Sequence, residues 1–179
     1  MAQLWSRNFT CMFLANLFLG ISFYILMGII PLFVTEDLKL SESYVGLIMG
    51  AFSIAAFSTR PLAGLFLDSF GRMKVFISAI ILFILCCVSY LFAVSFVTLF
   101  IIRTIHGLGW GLTNTSGSTI AADVVPISRR AEGLGFYAMA MSIGMALGPA
   151  IGVTLLIAVP FNAVFALTIF LGVVALCIA

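Results

Sequence analysis

Long apolar segments separated by short charged ones make up the whole sequence. Each apolar segment approaches the roughly 20 residues that cross a bilayer as a helix. Residues 75–122 form one stretch too long for a single span, and a turn near residues 93–96 divides it in two. The pattern predicts membrane-spanning helices at residues 8–34, 43–66, 75–94, 96–120, 133–158 and 160–179.

Composition agrees with a membrane protein and excludes a soluble one. Hydrophobic residues make up 64% of the chain and charged residues 8%, whereas ordinary globular domains have roughly 45–50% and 25%. Backbone polar groups have no water to bind inside a bilayer, so the spans must be helices and the fold class is all-α. The net charge of +2 gives no reason to expect a nucleic-acid partner.

The basic residues favour one side of the predicted topology. If six helices alternate, one side carries Arg7, Arg60, Arg72, Lys74, Arg129 and Arg130. Among loop residues only Lys39 falls on the other side. Because cytoplasmic loops are enriched in Lys and Arg, we expect both termini in the cytoplasm.

The residues that would carry enzyme or metal chemistry are scarce. The cysteines all lie within apolar runs and lack metal-ligand spacing, at positions Cys11, Cys86, Cys87 and Cys177. The chain has no nucleophile–base pairing and no phosphate-binding loop. We therefore expect neither an enzyme nor a bound metal or cofactor.

One face of the fourth predicted helix is unusually polar. Arg103 is followed at helical spacing by His106, Gly107, Trp110 and Asn114. A charge inside a span costs about 2.5–3.5 kcal/mol on insertion scales. The arginine either reaches the outer headgroups along its aliphatic stem or faces a water-filled cavity. The polar neighbours favour a cavity, with this face on a substrate or proton path.

Three further polar residues at membrane depth have two interpretations each. His106 is the only histidine. Its imidazole suits proton exchange near neutral pH, or it stays neutral in a hydrogen bond between helices. Asn16 and Tyr24 share a face of the first helix. They either line a cavity or hold helices together through hydrogen bonds.

Small residues form ridges on two helices. Gly107 and Gly111 lie one turn apart on the fourth helix, and the fifth has the series Gly144, Gly148, Pro149 and Gly152. Such ridges allow close helix packing. A functional extension is that the ridge on the fifth helix slides or seals against another half of a transporter.

A short motif occurs in both halves of the chain. Pro61-x-x-Gly64 lies late in the second helix, and Pro149-x-x-Gly152 lies late in the fifth. These places correspond if helices one to three and four to six are repeats of inverted topology. The expected architecture is two three-helix inverted repeats, with which this single shared tetrapeptide is consistent.

The segment after the second helix resembles a known signature. Residues 64–74, GLFLDSFGRMK, resemble the Gly-x-Leu-x-Asp-x-x-Gly-Arg-x-Lys motif of the major facilitator superfamily. The resemblance implies a cytoplasmic gate motif made of Gly64, Asp68, Gly71, Arg72 and Lys74. The glycines would permit a tight turn, and the basic pair would anchor the cytoplasmic side.

Two other segments resemble motifs of the same superfamily. Residues 103–109 are similar to a fourth-helix motif whose arginine is linked to proton transfer in antiporters. Residues 144–152 are similar to the fifth-helix motif of exporters. The combination resembles the drug- and sugar-efflux branch, and implies an integral protein of a bacterial inner or plasma membrane.

The resemblance covers the chain as the N-terminal half of a fold that has about twelve helices. The expected partners are the lipid bilayer, a small-molecule substrate, protons, and a C-terminal half or second copy. The leading hypothesis is proton-coupled efflux of small amphipathic molecules. The alternatives are an uptake carrier for a sugar or metabolite, and a truncated, non-transporting membrane partner or remnant.

Overall fold

The structure is a computed structural model and describes residues 4–179. Six long helices make up most of this part of the chain. They are α1 (Arg7–Leu32), α2 (Glu42–Phe70), α3 (Arg72–Ser89), α4 (Phe96–Val124), α5 (Arg130–Leu156) and α6 (Phe161–Ile178). A π-helical turn, Phe33–Asp37, extends α1, and short 3-10 turns, Tyr90–Phe92 and Ile127–Arg129, adjoin α3 and α5. All six are long and apolar enough to cross a bilayer, which confirms the all-α, six-span prediction.

The turn between α3 and α4 lies where the sequence pattern predicts it. Ser95 begins α4 with a capping box, in which its hydroxyl accepts a hydrogen bond from the Thr98 amide and the Thr98 hydroxyl accepts one from the Ser95 amide. Such a box satisfies amides that have no partner within the helix. A single apolar stretch is thereby divided into two antiparallel spans.

The boundary between α2 and α3 differs from the predicted one. The sequence suggested a span ending at residue 66 and a polar loop at 68–74, but α2 continues to Phe70 and α3 begins at Arg72. Pro61 lies inside α2 without ending it. The break falls at Gly71, whose φ of +88° is a backbone conformation that favours glycine. Arg60 consequently lies about three turns inside α2 and not at its end.

The helix pairing follows the symmetry of an inverted repeat. Helix α1 packs mainly on α5 and α6, and α4 packs mainly on α2 and α3. Exchanging α1–α3 with α4–α6 converts each of these pairings into the other. Pro61 and Pro149 lie in α2 and α5, which are the helices that the exchange relates.

The glycine ridge on α5 lies against α1 of the same bundle. A Cβ on Gly144 would be 2.6 Å from the carbonyl carbon of Gly20, and one on Gly148 would be 2.5 Å from the Cβ of Tyr24. A Cβ on Gly152 would be 2.8 Å from a methyl of Ile29. A Cβ atom at any of these three positions would overlap atoms of α1, so the two helices can approach this closely only with glycine there.

The glycines of α4 allow α4 to cross α2 at a similarly short distance. A Cβ on Gly107 would lie 2.4 Å from the Phe52 carbonyl oxygen, and one on Gly111 would lie 2.6 Å from that of Ala56. Both ridges are therefore used inside the bundle. The suggested extension, in which the α5 ridge slides against another half or docks a partner, is wrong, because α1 already covers that surface.

We predict that Gly148→Ala lowers thermal stability by separating α1 from α5. The new methyl group would meet backbone atoms of Tyr24, 2.8 Å away at its carbonyl carbon, which cannot move without shifting the helix. Overpacking of this kind costs about 1–3 kcal/mol. The melting temperature of the detergent-purified protein measures the effect.

Gly135→Ala is the matched control, since a Cβ there meets nothing within 4 Å and alanine favours helix. It should leave the melting temperature unchanged or raise it slightly. Equal losses in both variants would contradict the close crossing.

Candidate functional site

An ion pair joins two turns at one end of the bundle. Arg72, the first residue of α3, donates a hydrogen bond to the carboxylate of Asp123 near the end of α4. Arg130 at the start of α5 donates from Nε to the Ala122 carbonyl oxygen, 3.1 Å away. The α2–α3 and α4–α5 turns are thus held together at what we call the basic end, marked by Arg7, Arg72, Lys74, Arg129 and Arg130.

The remaining residues of the predicted gate motif surround this ion pair. Gly71 makes the turn itself. Asp68 lies exposed near the end of α2, close enough to Arg72 to interact electrostatically. Lys74 is exposed on the first turn of α3, and Gly64 lies in α2 with open space around it. The sequence did not single out Asp123, which accepts the hydrogen bond from Arg72.

A cavity of about 500 Å³, with polar groups set in a largely apolar wall, lies among α1, α2, α4 and α5 and is open on one side. It is lined by Asn16, Tyr24, Arg60, Asn114, Thr115, Ser118, Tyr137, Ala138, Met141, Ser142 and Met145. Among the predicted path residues, the cavity brings together Asn16, Tyr24 and Asn114.

Hydrogen bonds fix the two amides of the cavity. The Asn16 amide nitrogen donates to the Tyr137 carbonyl oxygen at 2.8 Å, which links α1 to α5. The Asn114 amide nitrogen donates to the Trp110 carbonyl oxygen at 3.2 Å. Each amide keeps a second N–H and its carbonyl oxygen available for a ligand. Asn16 therefore both joins two helices and lines the cavity.

Arg103 lies elsewhere, fully buried within the bundle. Its Nη2 donates to the sulfur atoms of Met49 at 3.1 Å and Met27 at 3.4 Å, and its guanidinium carbon is 4.6 Å from the centre of the Phe52 ring. Its Nη1 lies 3.5 Å from the Tyr90 hydroxyl. In the described residues Nε has no hydrogen-bond partner.

His106 lies one turn further along α4 and is also fully buried. Its Nδ1 is 2.8 Å from the Tyr90 hydroxyl, and its ring packs edge-on against Phe83 and Phe52. Nε2 has no hydrogen-bond partner within residues 4–179. Tyr90 therefore connects the arginine to the histidine.

Trp110 lies between these buried groups and the cavity along α4. Its ring stacks on that of Phe23 from α1, with centroids 3.8 Å apart. Asn114, on the cavity wall, is about 16 Å along the helix from Arg103 at 1.5 Å per residue. The polar face of α4 thus points inward along its length. Its Arg103 end is enclosed by other side chains, whereas its Asn114 end lines the cavity.

The structure meets neither interpretation of Arg103, and the prediction that its side chain faces a water-filled cavity is wrong. Its side chain is 0% exposed, so it does not reach the outer headgroups. The open cavity, however, is not lined by Arg103 or His106, and sulfur atoms and aromatic rings surround the guanidinium instead.

Sequence reasoning missed several residues of these two sites. Arg60 was counted among the basic residues on one side of the membrane, but α2 continues well past it, because proline is compatible with a helix that loses one hydrogen bond. Met27, Met49 and Tyr90 touch Arg103 from three other helical segments, and no local pattern marks them. Only the fold brings them together.

We predict that Arg103→Met stabilises the protein, because weak sulfur acceptors and a 3.5 Å contact to a hydroxyl compensate a buried charge poorly. Replacing buried ionic groups with apolar ones often stabilises proteins by about 1–4 kcal/mol. The melting temperature in detergent should rise, whereas Arg103→Lys, which keeps the charge, should give no rise. A fall with Arg103→Met would mean that the guanidinium is well satisfied.

We also predict that reversing the charge of Arg72 destabilises the basic end and that a second reversal repairs it. Arg72→Asp places two carboxylates together, and Asp123→Arg in the same protein restores an opposite pair. Protease cleavage at the α2–α3 and α4–α5 turns should increase in the single variant and return towards wild type in the double variant. A double variant cleaved as fast as the single one would contradict the pairing.

Comparison with known proteins gives several matches. The quinolone resistance protein NorA of Staphylococcus aureus (strain MRSA252) is 30% identical over 138 residues, covering 76% of this chain and 34% of the relative. Multidrug resistance protein 2 of Bacillus subtilis (strain 168) is 27% identical over 135 residues, covering 75% and 33%. The chain spans about a third of the length of the curated relatives it matches.

The fold has a counterpart among solved structures. The human organic anion transporter MFSD10 (TETRAN) matches with a TM-score of 0.79 at 22% sequence identity, over 96% of this chain and 46% of that one. The family model of the Major Facilitator Superfamily matches residues 12–179. A family of membrane carriers agrees with the expectation that the chain is not an enzyme. This integral membrane protein belongs to the Major Facilitator Superfamily.

Proposed function

We propose that the chain is a six-helix unit of a secondary transporter that exports small amphipathic molecules. The observation that carries the proposal is the cavity of about 500 Å³ among α1, α2, α4 and α5, whose largely apolar wall contains Arg60, Asn16 and Asn114. Polar and charged groups are expensive inside a membrane and are typical of substrate or ion pathways.

Export is favoured over uptake by the relatives. Proteins named for quinolone and multidrug resistance match three quarters of this chain, and residues 144–152 resemble an exporter motif. A measurement of dye retention distinguishes export from uptake. Cells without the gene should retain more of a transported dye than wild-type cells under export, and less under uptake.

A second six-helix unit would complete the cavity. The cavity is open on one side, so these helices supply one wall, and transporters of this kind bind substrate between two halves. Either a C-terminal half or a second copy of the chain would serve. A partner that binds through the glycine ridges is disfavoured, because both ridges pack inside the bundle.

We further propose that protons drive transport and that Arg103, Tyr90 and His106 take part in coupling. The three side chains form a buried chain of contacts, from Arg103 Nη1 through the Tyr90 hydroxyl to His106 Nδ1. No carboxylate lies among them, since every Asp and Glu of the sequence is near a helix end or in a turn. The imidazole is then the side chain of this site that would accept and release a proton.

The basic end would face the cytoplasm of a bacterium. It contains the start of α1 and both turns that carry arginine, and positive charge favours the cytoplasmic side. This orientation puts both termini in the cytoplasm, with the Arg72–Asp123 pair on the cytoplasmic face.

We predict that Arg103→Ala uncouples transport from the proton gradient. The test uses the protein in its full natural length, in proteoliposomes, with anionic, neutral and cationic fluorescent amphipaths as probes. Wild-type flux should rise when a pH gradient is imposed. In the variant, gradient-driven flux should fall by on the order of tenfold, which corresponds to about 1.4 kcal/mol.

Ile105→Ala is the control, since Ile105 lies on the outward face of α4 and is 41% exposed. It should keep the wild-type response. A wild-type flux that does not change with the pH gradient would contradict the proposal of proton coupling but not the proposal of transport. If no probe moves in either direction, the transport proposal itself fails.

A further inference from the structure

Arg60 is the one charged side chain on the cavity wall among the residues that line it. It lies about three turns inside α2, at a depth where charge is costly. Its side chain is exposed to the cavity. A residue so placed needs a physical reason.

Arg60 is also without a partner. No hydrogen bond or salt bridge joins it to any residue in the range 4–179. Two arginines of the basic end differ, since Arg72 pairs with Asp123 and Arg129 with Glu132. All five N–H donors of the Arg60 guanidinium are therefore without a protein partner in that range, and the residue lines the cavity.

The rest of the wall adds no negative charge. The hydroxyls of Thr115, Ser118 and Ser142 donate their protons to carbonyls of their own helices, so they present only lone pairs to the cavity. The amides of Asn16 and Asn114 each keep one N–H free. No Asp or Glu lines the cavity, so a cationic ligand would meet Arg60 with nothing to offset the repulsion.

Apolar side chains lie beside this donor group. Met141 and Met145 of α5 and the ring of Tyr24 form part of the same wall. Methionine is flexible and polarizable and adapts to varied apolar shapes. The wall therefore combines one fixed positive charge with an adaptable apolar surface.

We propose that Arg60 binds the acidic group of the transported molecule, so that the cavity selects amphipathic organic anions, such as aromatic carboxylates, over cations of the same shape. The inference rests on the proposed transport function and names its substrate class. Arginine suits this role because its planar fork can hold a carboxylate through two parallel hydrogen bonds.

The experiment uses two probes with the same apolar body and opposite charge, 1-pyrenebutyrate and 1-pyrenebutyltrimethylammonium. Binding to the natural full-length protein in nanodiscs is measured by fluorescence titration, and transport of both probes is measured in proteoliposomes. The variants are Arg60→Gln, which removes the charge, and Arg60→Lys, which keeps it. Arg130→Gln loses an arginine at the basic end, outside the cavity, and is the matched control.

Wild type should bind the anion more tightly than the cation. Arg60→Gln should weaken anion binding by about tenfold and leave cation binding unchanged or tighter. Arg60→Lys should keep most of the preference, and Arg130→Gln should keep all of it. The melting temperature of each variant checks that the fold is retained.

Three outcomes would overturn the inference. The first is tighter binding of the cation by wild type. The second is equal weakening of both probes by Arg60→Gln, which is expected if Arg60 pairs with a carboxylate of the second six-helix unit and supports the structure. The third is transport of the cation alone, unaffected by Arg60→Gln, which would leave the transport function intact and remove only the anion preference.

Discussion

The structure depends on two close helix crossings, α1 with α5 and α2 with α4. Inside a bilayer, apolar surface gains little by leaving lipid for protein, so association relies on dense packing and on interhelical hydrogen bonds. Glycines supply the packing at both crossings, where backbone atoms approach to distances that a Cβ would not permit. Asn16 adds a hydrogen bond from α1 to the α5 backbone. With these pairs fixed, the walls of the cavity are fixed as well.

The interior between these pairs is divided into two polar environments. Next to Asn114 the bundle is open and its wall can be hydrated. Next to Arg103 it is closed by sulfur atoms and aromatic rings. The stacked rings of Phe23 and Trp110 lie between the two levels along α4. Under the proposed function, substrate contact and proton chemistry would be separated in space, while one helix carries residues of both.

Features that depend on a regular pattern along the chain could be predicted from the sequence. Apolar run length gives the six spans, and 3.6-residue spacing puts Arg103, His106, Trp110 and Asn114 on the face that is buried or cavity-facing. The sequence did not predict a helix boundary where a residue is compatible with two conformations. Pro61 can end a helix or continue it, and the break moved to Gly71, whose positive φ no periodicity reveals.

The sites were harder to predict than the fold for a related reason. Asn16, Tyr24 and Asn114 were identified because polar residues are rare in apolar runs. Met27 and Met49, in contrast, look like ordinary core residues, and only the path of α1 and α2 past α4 brings their sulfur atoms to Arg103. Contacts between distant segments depend on how the helices cross, which local patterns do not encode.

The two arginines inside the bundle meet the cost of burying charge in different ways. Arg103 is enclosed and shares its charge with soft acceptors and a ring, so its surroundings are set by the protein alone. Arg60 lies beside open space and has no protein partner within the described chain. The first arrangement suits a group whose electrostatic influence must persist whatever is bound. The second suits a group whose counter-charge arrives and leaves, which is the requirement of a transport cycle in which substrate must be released as readily as it is bound.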